Sequence, residues 1–120
     1  MQVTIMEVKN NIVHQPDLST LYDDEPSLGH LIIKNLAKAG NRIMLVSGET
    51  RQELSAIQLV NESINISKAL TAVGVKLGDV VSIVSENRFE FAFVMFGTIF
   101  LNCTFAPVNN LYSKRKINTL

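Results

Sequence analysis

The sequence has little of what a disulfide-stabilised, metal-binding or nucleic-acid-binding protein needs. Its 120 residues include one cysteine, Cys103, and two histidines, His14 and His30, so an internal disulfide is impossible and a metal cluster is not indicated. Its 11 Lys and Arg residues balance 11 Asp and Glu residues, which leaves no net charge to attract a phosphate backbone. We therefore expect an intracellular protein without a nucleic-acid partner.

The chain also lacks a clear targeting or membrane segment. Polar residues are mixed through positions 1–10, which is not the order of a secretory signal. Residues 91–108 contain no charged side chain and just reach the length of a spanning helix. Asn102, Thr104 and Pro107 interrupt the second half, which favours a buried helix at about 88–101 and then a strand at about 103–107. A membrane span is the less favoured alternative, which flotation with lipid would detect.

What is present is a globular pattern, with 47% hydrophobic and 18% charged residues. Residues 1–25 have no sustained period and predict an irregular, extended lead-in. Pro26 and Ser27 then open a helix whose apolar residues fall at spacings of three and four, and Gly40 ends it. The apolar run at 43–46 predicts a strand, and residues 47–50 predict a turn.

The second half of the sequence continues the alternation of helices and strands. A helical pattern runs from about Gln52 to Gly74, and the β-branched run at 80–84 predicts a buried strand. The helix at 88–101 is apolar nearly all round, which predicts an interior position, and a strand at 103–108 follows. A new helix begins at Ser113. This order predicts an α/β fold built from parallel βαβ units flanked by helices, with residues 26–120 as one incomplete domain.

We assign no catalytic, cofactor-binding or metal residue from the sequence. The six glycines match neither the dinucleotide nor the P-loop pattern, and Ser47 lacks the flanking glycines of a nucleophile elbow. Cys103 is interpreted as a small core residue and His30 as a surface or boundary residue of the first helix, and His14 lies in the irregular lead-in with no fixed partner implied. The acidic residues 23–25 are interpreted as charges that stabilise the positive end of the following helix dipole. The basic residues 114–116 are interpreted as the solvent-exposed start of a helix.

One region nevertheless resembles a known family. Residues 78–87 read Gly-Asp-Val-Val-Ser-Ile-Val-Ser-Glu-Asn, an apolar helix with Gly97 follows, and residues 105–112 read Phe-Ala-Pro-Val-Asn-Asn-Leu-Tyr. This order is similar to that of the adenylate-forming family, which includes beetle luciferases, 4-coumarate-CoA ligases and fatty acyl-CoA synthetases. Residues 25–77 agree with the family in layout and less in detail. Two features depart from the family pattern. Asn102 stands where relatives have glycine or another small residue, so crowding between helix and strand is expected, and Glu53-Leu54-Ser55 replaces the Thr-Tyr pair common after the first hairpin.

The resemblance implies an N-terminal part of an enzyme that activates a carboxylic acid with ATP and passes the acyl group to coenzyme A, or oxidises it as luciferases do. In that family the phosphate loop, the Mg²⁺ site and the lysine of the C-terminal domain lie later in the chain, so none maps onto a residue here. The resemblance therefore implies a chain that is inactive alone. It also implies a peroxisomal or cytoplasmic location, although Asn118-Thr119-Leu120 is not a peroxisomal address. The alternative is a free-standing small α/β interaction module without catalysis.

Overall fold

A computed structural model describes residues 26–111 and two short strands at 7–9 and 12–14. Its elements are, in chain order, β1 (Glu7–Lys9), β2 (Ile12–His14), α1 (Leu28–Ala39), β3 (Ile43–Val46), β4 (Glu53–Ser55), α2 (Ala56–Ala72), β5 (Val80–Val84), α3 (Phe89–Phe100) and β6 (Thr104–Val108). The described strands form three separate pairs, β1 with β2, β3 with β4 and β5 with β6. From α1 onwards helices and strands alternate as the sequence predicts, except that two strands, β3 and β4, follow each other.

The segment predicted as an irregular lead-in contains an antiparallel strand pair. Glu7 of β1 lies opposite His14 of β2, and Lys9 lies opposite Ile12. Each strand has three residues, which is too short for a period-two pattern to be recognised in the sequence. The prediction of loop was therefore wrong for these six positions, whereas the rest of residues 1–25 lies outside the described residues.

Helix α1 begins and ends where its capping residues predict. The Ser27 hydroxyl accepts a hydrogen bond from the His30 N–H at 3.1 Å, which satisfies one of the free donors at the helix start. At the other end Gly40 has φ 56°, a left-handed conformation that glycine adopts without a Cβ penalty. Leu36 is buried, and Ile32 and Ile33 pack against the same core.

Strand β4 replaces the first turn of the helix predicted from Gln52. It pairs antiparallel with β3, so that Val46 lies opposite Glu53 and Ile43 lies opposite Ser55, with an irregularity between these pairs. Ser55 ends β4 and is also the N-cap of α2, so the helix starts at the next residue, Ala56. The Ser55 hydroxyl and the Gln58 side chain form a reciprocal capping box, in which each side chain accepts a hydrogen bond from the other residue's backbone N–H.

Strands β5 and β6 form the parallel βαβ unit that the sequence predicts, connected through α3. Val80 pairs with Thr104, and the register continues without a break to Val84 and Val108. The rings of Phe91 and Phe105 meet edge to face at 5.4 Å, so α3 packs on the sheet face that carries Phe105. The α/β fold class is confirmed. Strand β3 pairs with β4 rather than with this parallel sheet.

Helix α3 crosses α2 and α1 at two glycines. A Cβ on Gly97 would lie 2.8 Å from the Ser63 carbonyl oxygen, and a Cβ on Gly29 would lie 2.8 Å from the Ile99 carbonyl oxygen. The Ser67 hydroxyl lies 2.8 Å from the Gly97 carbonyl and joins the two helices. The core beside this crossing consists of Leu36, Leu54, Ala56, Leu59 and Val60.

The predicted interior position of α3 is only partly correct. Gly97 and Thr98 are buried, whereas the apolar side chains of the helix are only partly covered. The crowding expected at Asn102 does not occur, because this residue is exposed and has φ 54°. Asparagine tolerates the left-handed region better than most residues, so Asn102 makes the turn from α3 into β6 where a glycine would otherwise suit.

Candidate functional site

The carboxyl edge of the β5–β6 pair is where an open parallel sheet most often binds ligands. Strand β5 ends at Val84 and strand β6 ends at Val108, and polar residues follow both, at 85–88 and 109–110. Beyond β6 the Asn109 side chain accepts a hydrogen bond from the Leu111 N–H at 2.8 Å. The parallel register therefore brings two polar segments to one end of the sheet.

A cleft of about 890 Å³ lies beside this edge. One wall is the start of α3 with the residues before it, at 86–92, and the other is the turn between β3 and β4, at 45–50 with Gln52. The lining combines apolar groups such as Phe89 and Phe91 with polar ones such as Asn87 and Arg88. Its volume falls within the range of small-molecule pockets, so we treat it as the candidate site.

The charges in the cleft belong to exposed groups. The Arg88 guanidinium lies 3.5 Å from the Glu90 carboxylate, with the two side chains 67% and 63% exposed. An ion pair so open to solvent contributes little stability, and Arg88 is free to turn toward another anion. Glu49 and Glu86 also line the cleft and are exposed. The arrangement can hold a small polar molecule, and it places no nucleophile beside a base.

The turn that forms one wall does not fit a phosphate group. Phosphate sites need several backbone N–H groups that converge on one anion. In this turn the Thr50 N–H donates to the Ser47 hydroxyl at 3.1 Å, the Arg51 N–H donates to the Ser47 carbonyl at 3.0 Å, and the Gln52 N–H donates to the Thr50 hydroxyl at 3.4 Å. These donors are already used. Within the described residues, no three His, Cys, Asp or Glu side chains are placed to hold a metal ion.

The residues weighed from the sequence are dispersed. Ser47 serves the turn just described, and His30 is exposed on α1. Cys103 is buried, with its sulfur 3.1 Å from the Lys76 carbonyl oxygen, so the thiol joins the segment between α3 and β6 to the segment before β5. His14 lies in β2. The acidic residues 23–25 and the basic residues 114–116 lie outside the described residues.

The cleft itself was not predicted from the sequence. Its two walls are separated along the chain by the whole of α2 and β5. One wall also depends on the β3–β4 pairing, which was not predicted because the helical pattern was taken to start at Gln52. The only local signal was the polar run at 85–88 after a buried strand, which indicates the ligand-binding edge of a parallel sheet.

Comparison with known proteins assigns the chain to a family. The model of the AMP-binding enzyme family matches residues 33–120. The chain belongs to the AMP-binding enzyme family. It is 23% identical over 114 residues to a probable 4-coumarate–CoA ligase 2 of Dictyostelium discoideum, and 24% identical over 116 residues to a 4-coumarate–CoA ligase of Vanilla planifolia. These alignments cover 95% and 96% of this chain but 21% of each relative, so this AMP-binding family member spans about a fifth of their length.

Solved structures share the fold. The luciferase-like enzyme of the nonluminescent mealworm Zophobas morio superposes with a TM-score of 0.76 at 19% identity, covering 88% of this chain and 24% of that one. This likeness shows the shared fold, and the match of the family model over residues 33–120 confirms the family resemblance seen in the sequence. Among the residues that the structure describes, no helix combines the length and the apolar composition that crossing a membrane requires.

Proposed function

We propose that this chain forms the N-terminal part of an ATP-dependent carboxylic acid–CoA ligase, or of a luciferase-like enzyme of the same family. The observation that supports this most is the family match over residues 33–120, together with two relatives named 4-coumarate–CoA ligase that align with nearly all of the chain. The acyl-adenylate step and the transfer to coenzyme A are proposed for the whole enzyme, whose relatives are about five times longer.

The role proposed for residues 26–111 is that of a scaffold. Helices α2 and α3 pack closely at Gly97, and α3 joins the two strands of the parallel unit, so this part holds its shape through helix and sheet contacts. The nucleotide, Mg²⁺ and coenzyme A are proposed as ligands of the whole enzyme. In the turn at 47–52 the N–H groups of Ser47, Thr50, Arg51 and Gln52 donate within the turn, which argues against a nucleotide phosphate there.

Pyrophosphate exchange tests the proposal that the 120-residue chain is inactive alone. We expect no exchange of labelled pyrophosphate into ATP with fatty or aromatic acids, and no rise in melting temperature with ATP and Mg²⁺. A full-length 4-coumarate–CoA ligase serves as the positive control under the same conditions. Exchange above the enzyme-free rate that depends on the added acid would contradict the scaffold role.

Thermal unfolding separates the scaffold from the free-standing interaction module. A soluble chain with one cooperative transition and no effect of ATP favours the module, because an independent domain unfolds as a unit. Non-cooperative unfolding with irreversible aggregation favours an incomplete part of a larger enzyme. The peroxisomal or cytoplasmic compartment stays a prediction, which microscopy of the tagged chain with organelle markers would test.

A further inference from the structure

A shallow groove of about 420 Å³ runs beside the second half of α2. Five residues of α2 and the residue that follows α3 line it, namely Ile64, Ser67, Lys68, Thr71, Ala72 and Leu101. Most of its surface is apolar, and it shares no residue with the cleft at the carboxyl edge of the β5–β6 pair. Its volume lies toward the lower end of the range for small-molecule sites, so it suits a short apolar group.

The groove opens on the solvent side of α2. Asn61, Asn65 and Lys68 follow one another at helical spacing and are exposed, and Ala72 continues the same stripe. A polar stripe of this kind is the outer face of an amphipathic helix. The opposite stripe, with Leu59 and Ser63, is buried against the core and α3. Access to the groove therefore does not depend on an edge or a face of the sheet.

Lys68 is the nucleophile that this groove offers. The Ser67 hydroxyl lies 3.0 Å from the Ser63 carbonyl oxygen and 2.8 Å from that of Gly97, and the Thr71 hydroxyl donates to the Ser67 carbonyl at 2.9 Å. Both hydroxyl protons are thus engaged. Lys68 is exposed and makes no ion pair with the described residues. Its amine, once deprotonated, can attack an electrophilic carbonyl carbon.

We propose that Lys68 is an acylation site, at which the groove holds the acyl chain of an incoming acyl-CoA thioester. The Nζ lone pair attacks the thioester carbonyl carbon, the C–N bond forms as the C–S bond breaks, coenzyme A leaves as its thiolate, and the nitrogen releases a proton to water. The product is a neutral amide, so the side chain loses its charge. The source of the thioester rests on the proposed function, whereas the groove and Lys68 do not.

The apolar lining makes the site selective for longer acyl groups. A chain that lies along Ile64, Ala72 and Leu101 keeps its carbonyl carbon near Nζ, which raises the local concentration of the thioester. Each CH₂ fully removed from water strengthens this binding by at most about fourfold, and a shallow groove covers only part of the chain. An acetyl group is too short to gain from the groove, so an octanoyl group reacts preferentially.

Mass spectrometry of the acylated 120-residue chain tests the proposal. The chain is incubated with equal concentrations of acetyl-CoA or octanoyl-CoA and digested with a protease that does not cleave at lysine. Acylation of Lys68 is then measured relative to that of Lys38, which is exposed on α1 outside the groove and reports the intrinsic reactivity of each thioester. We expect the Lys68-to-Lys38 ratio to be at least about threefold higher with octanoyl-CoA.

Ala72→Gln and Ala69→Gln form a matched pair of variants. Ala72 lines the groove, so the amide of Ala72→Gln occupies it, and we expect the preference for octanoyl-CoA to disappear. Ala69 is exposed beside Lys68 but does not line the groove, so Ala69→Gln keeps the preference. Circular dichroism checks that both variants retain their helices.

Four results would overturn the acylation site. They are no acylation of Lys68, an equal Lys68-to-Lys38 ratio with the two thioesters, a preference that survives Ala72→Gln, and a preference that Ala69→Gln removes. Because the acyl-CoA is added to the assay, each of these results is independent of whether the whole enzyme makes acyl-CoA. The length preference of the unmodified chain alone decides the matter if Ala72→Gln does not fold.

Discussion

At the residue scale, Gly97 decides how closely α2 and α3 approach. An added Cβ would lie 2.8 Å from both the Ser63 carbonyl oxygen and the Ile66 side chain, and the backbone oxygen cannot turn away. We expect Gly97→Ala to lower the free energy of unfolding by about 1–3 kcal/mol, since this strain exceeds the gain in helix propensity. Urea unfolding followed by circular dichroism measures the change.

Gly48→Ala is the control for that prediction. Gly48 lies in the β3–β4 turn, its φ is not positive, and an added Cβ would have no atom of the described residues within 4 Å. We expect its free energy of unfolding to change by less than about 0.5 kcal/mol. Equal losses for the two variants would contradict the close approach at Gly97.

At the scale of the element, the junction of β4 and α2 depends on Ser55. This residue is buried, ends the strand and caps the helix through its hydroxyl. We expect Ser55→Ala to cost about 1 kcal/mol of unfolding free energy, because the Gln58 N–H loses its acceptor. Ser85→Ala is the control, since that hydroxyl donates a solvent-exposed hydrogen bond to the carbonyl of the adjacent Glu86 and caps no helix. A thermal melt that ranks the two variants equally would contradict the capping role.

The elements also show which features the sequence encodes locally. The apolar spacing of α1 and the β-branched run of β5 predict those elements, with Ser27 and Gly40 marking the ends of α1. Strand β4 was not predicted because its three residues directly precede α2 and were read as part of that helical pattern. The cleft depends on tertiary contacts between segments far apart in the sequence, because Leu45 of β3 and Phe89 of α3 pack against the same core. The hydrophobic periodicity of the sequence reports local structure and cannot predict such contacts.

At the scale of the whole molecule, one face of the parallel sheet packs on α3, and the other face is open with respect to the described residues. Val80 and Val84 are exposed on the open face, whereas Val81 pairs with Phe105 on the packed one. We expect the double change of Val80 and Val84 to Thr to raise solubility and leave the free energy of unfolding within about 0.5 kcal/mol, because threonine keeps the β preference. Solubility in ammonium sulfate and a urea titration measure these effects.

Val81→Thr is the matched control. The substitution is chemically the same, but it puts a hydroxyl against the packed face, where Val81 is half-buried. We expect it to lower the free energy of unfolding by about 1–3 kcal/mol. A destabilisation by the double variant as large as that of Val81→Thr would mean that the open face is covered.

Pro107 has a consequence for what this chain can build. In the language of polymer chemistry, a monomer with two reactive ends propagates, whereas a monomer with one reactive end can only couple once and terminate. Within the described residues, Pro107 removes a donor from the outer edge of β6, so the β5–β6 unit resembles a monomer whose more reactive end is β5. A further strand is therefore expected to join this sheet at β5, so that the sheet terminates at β6.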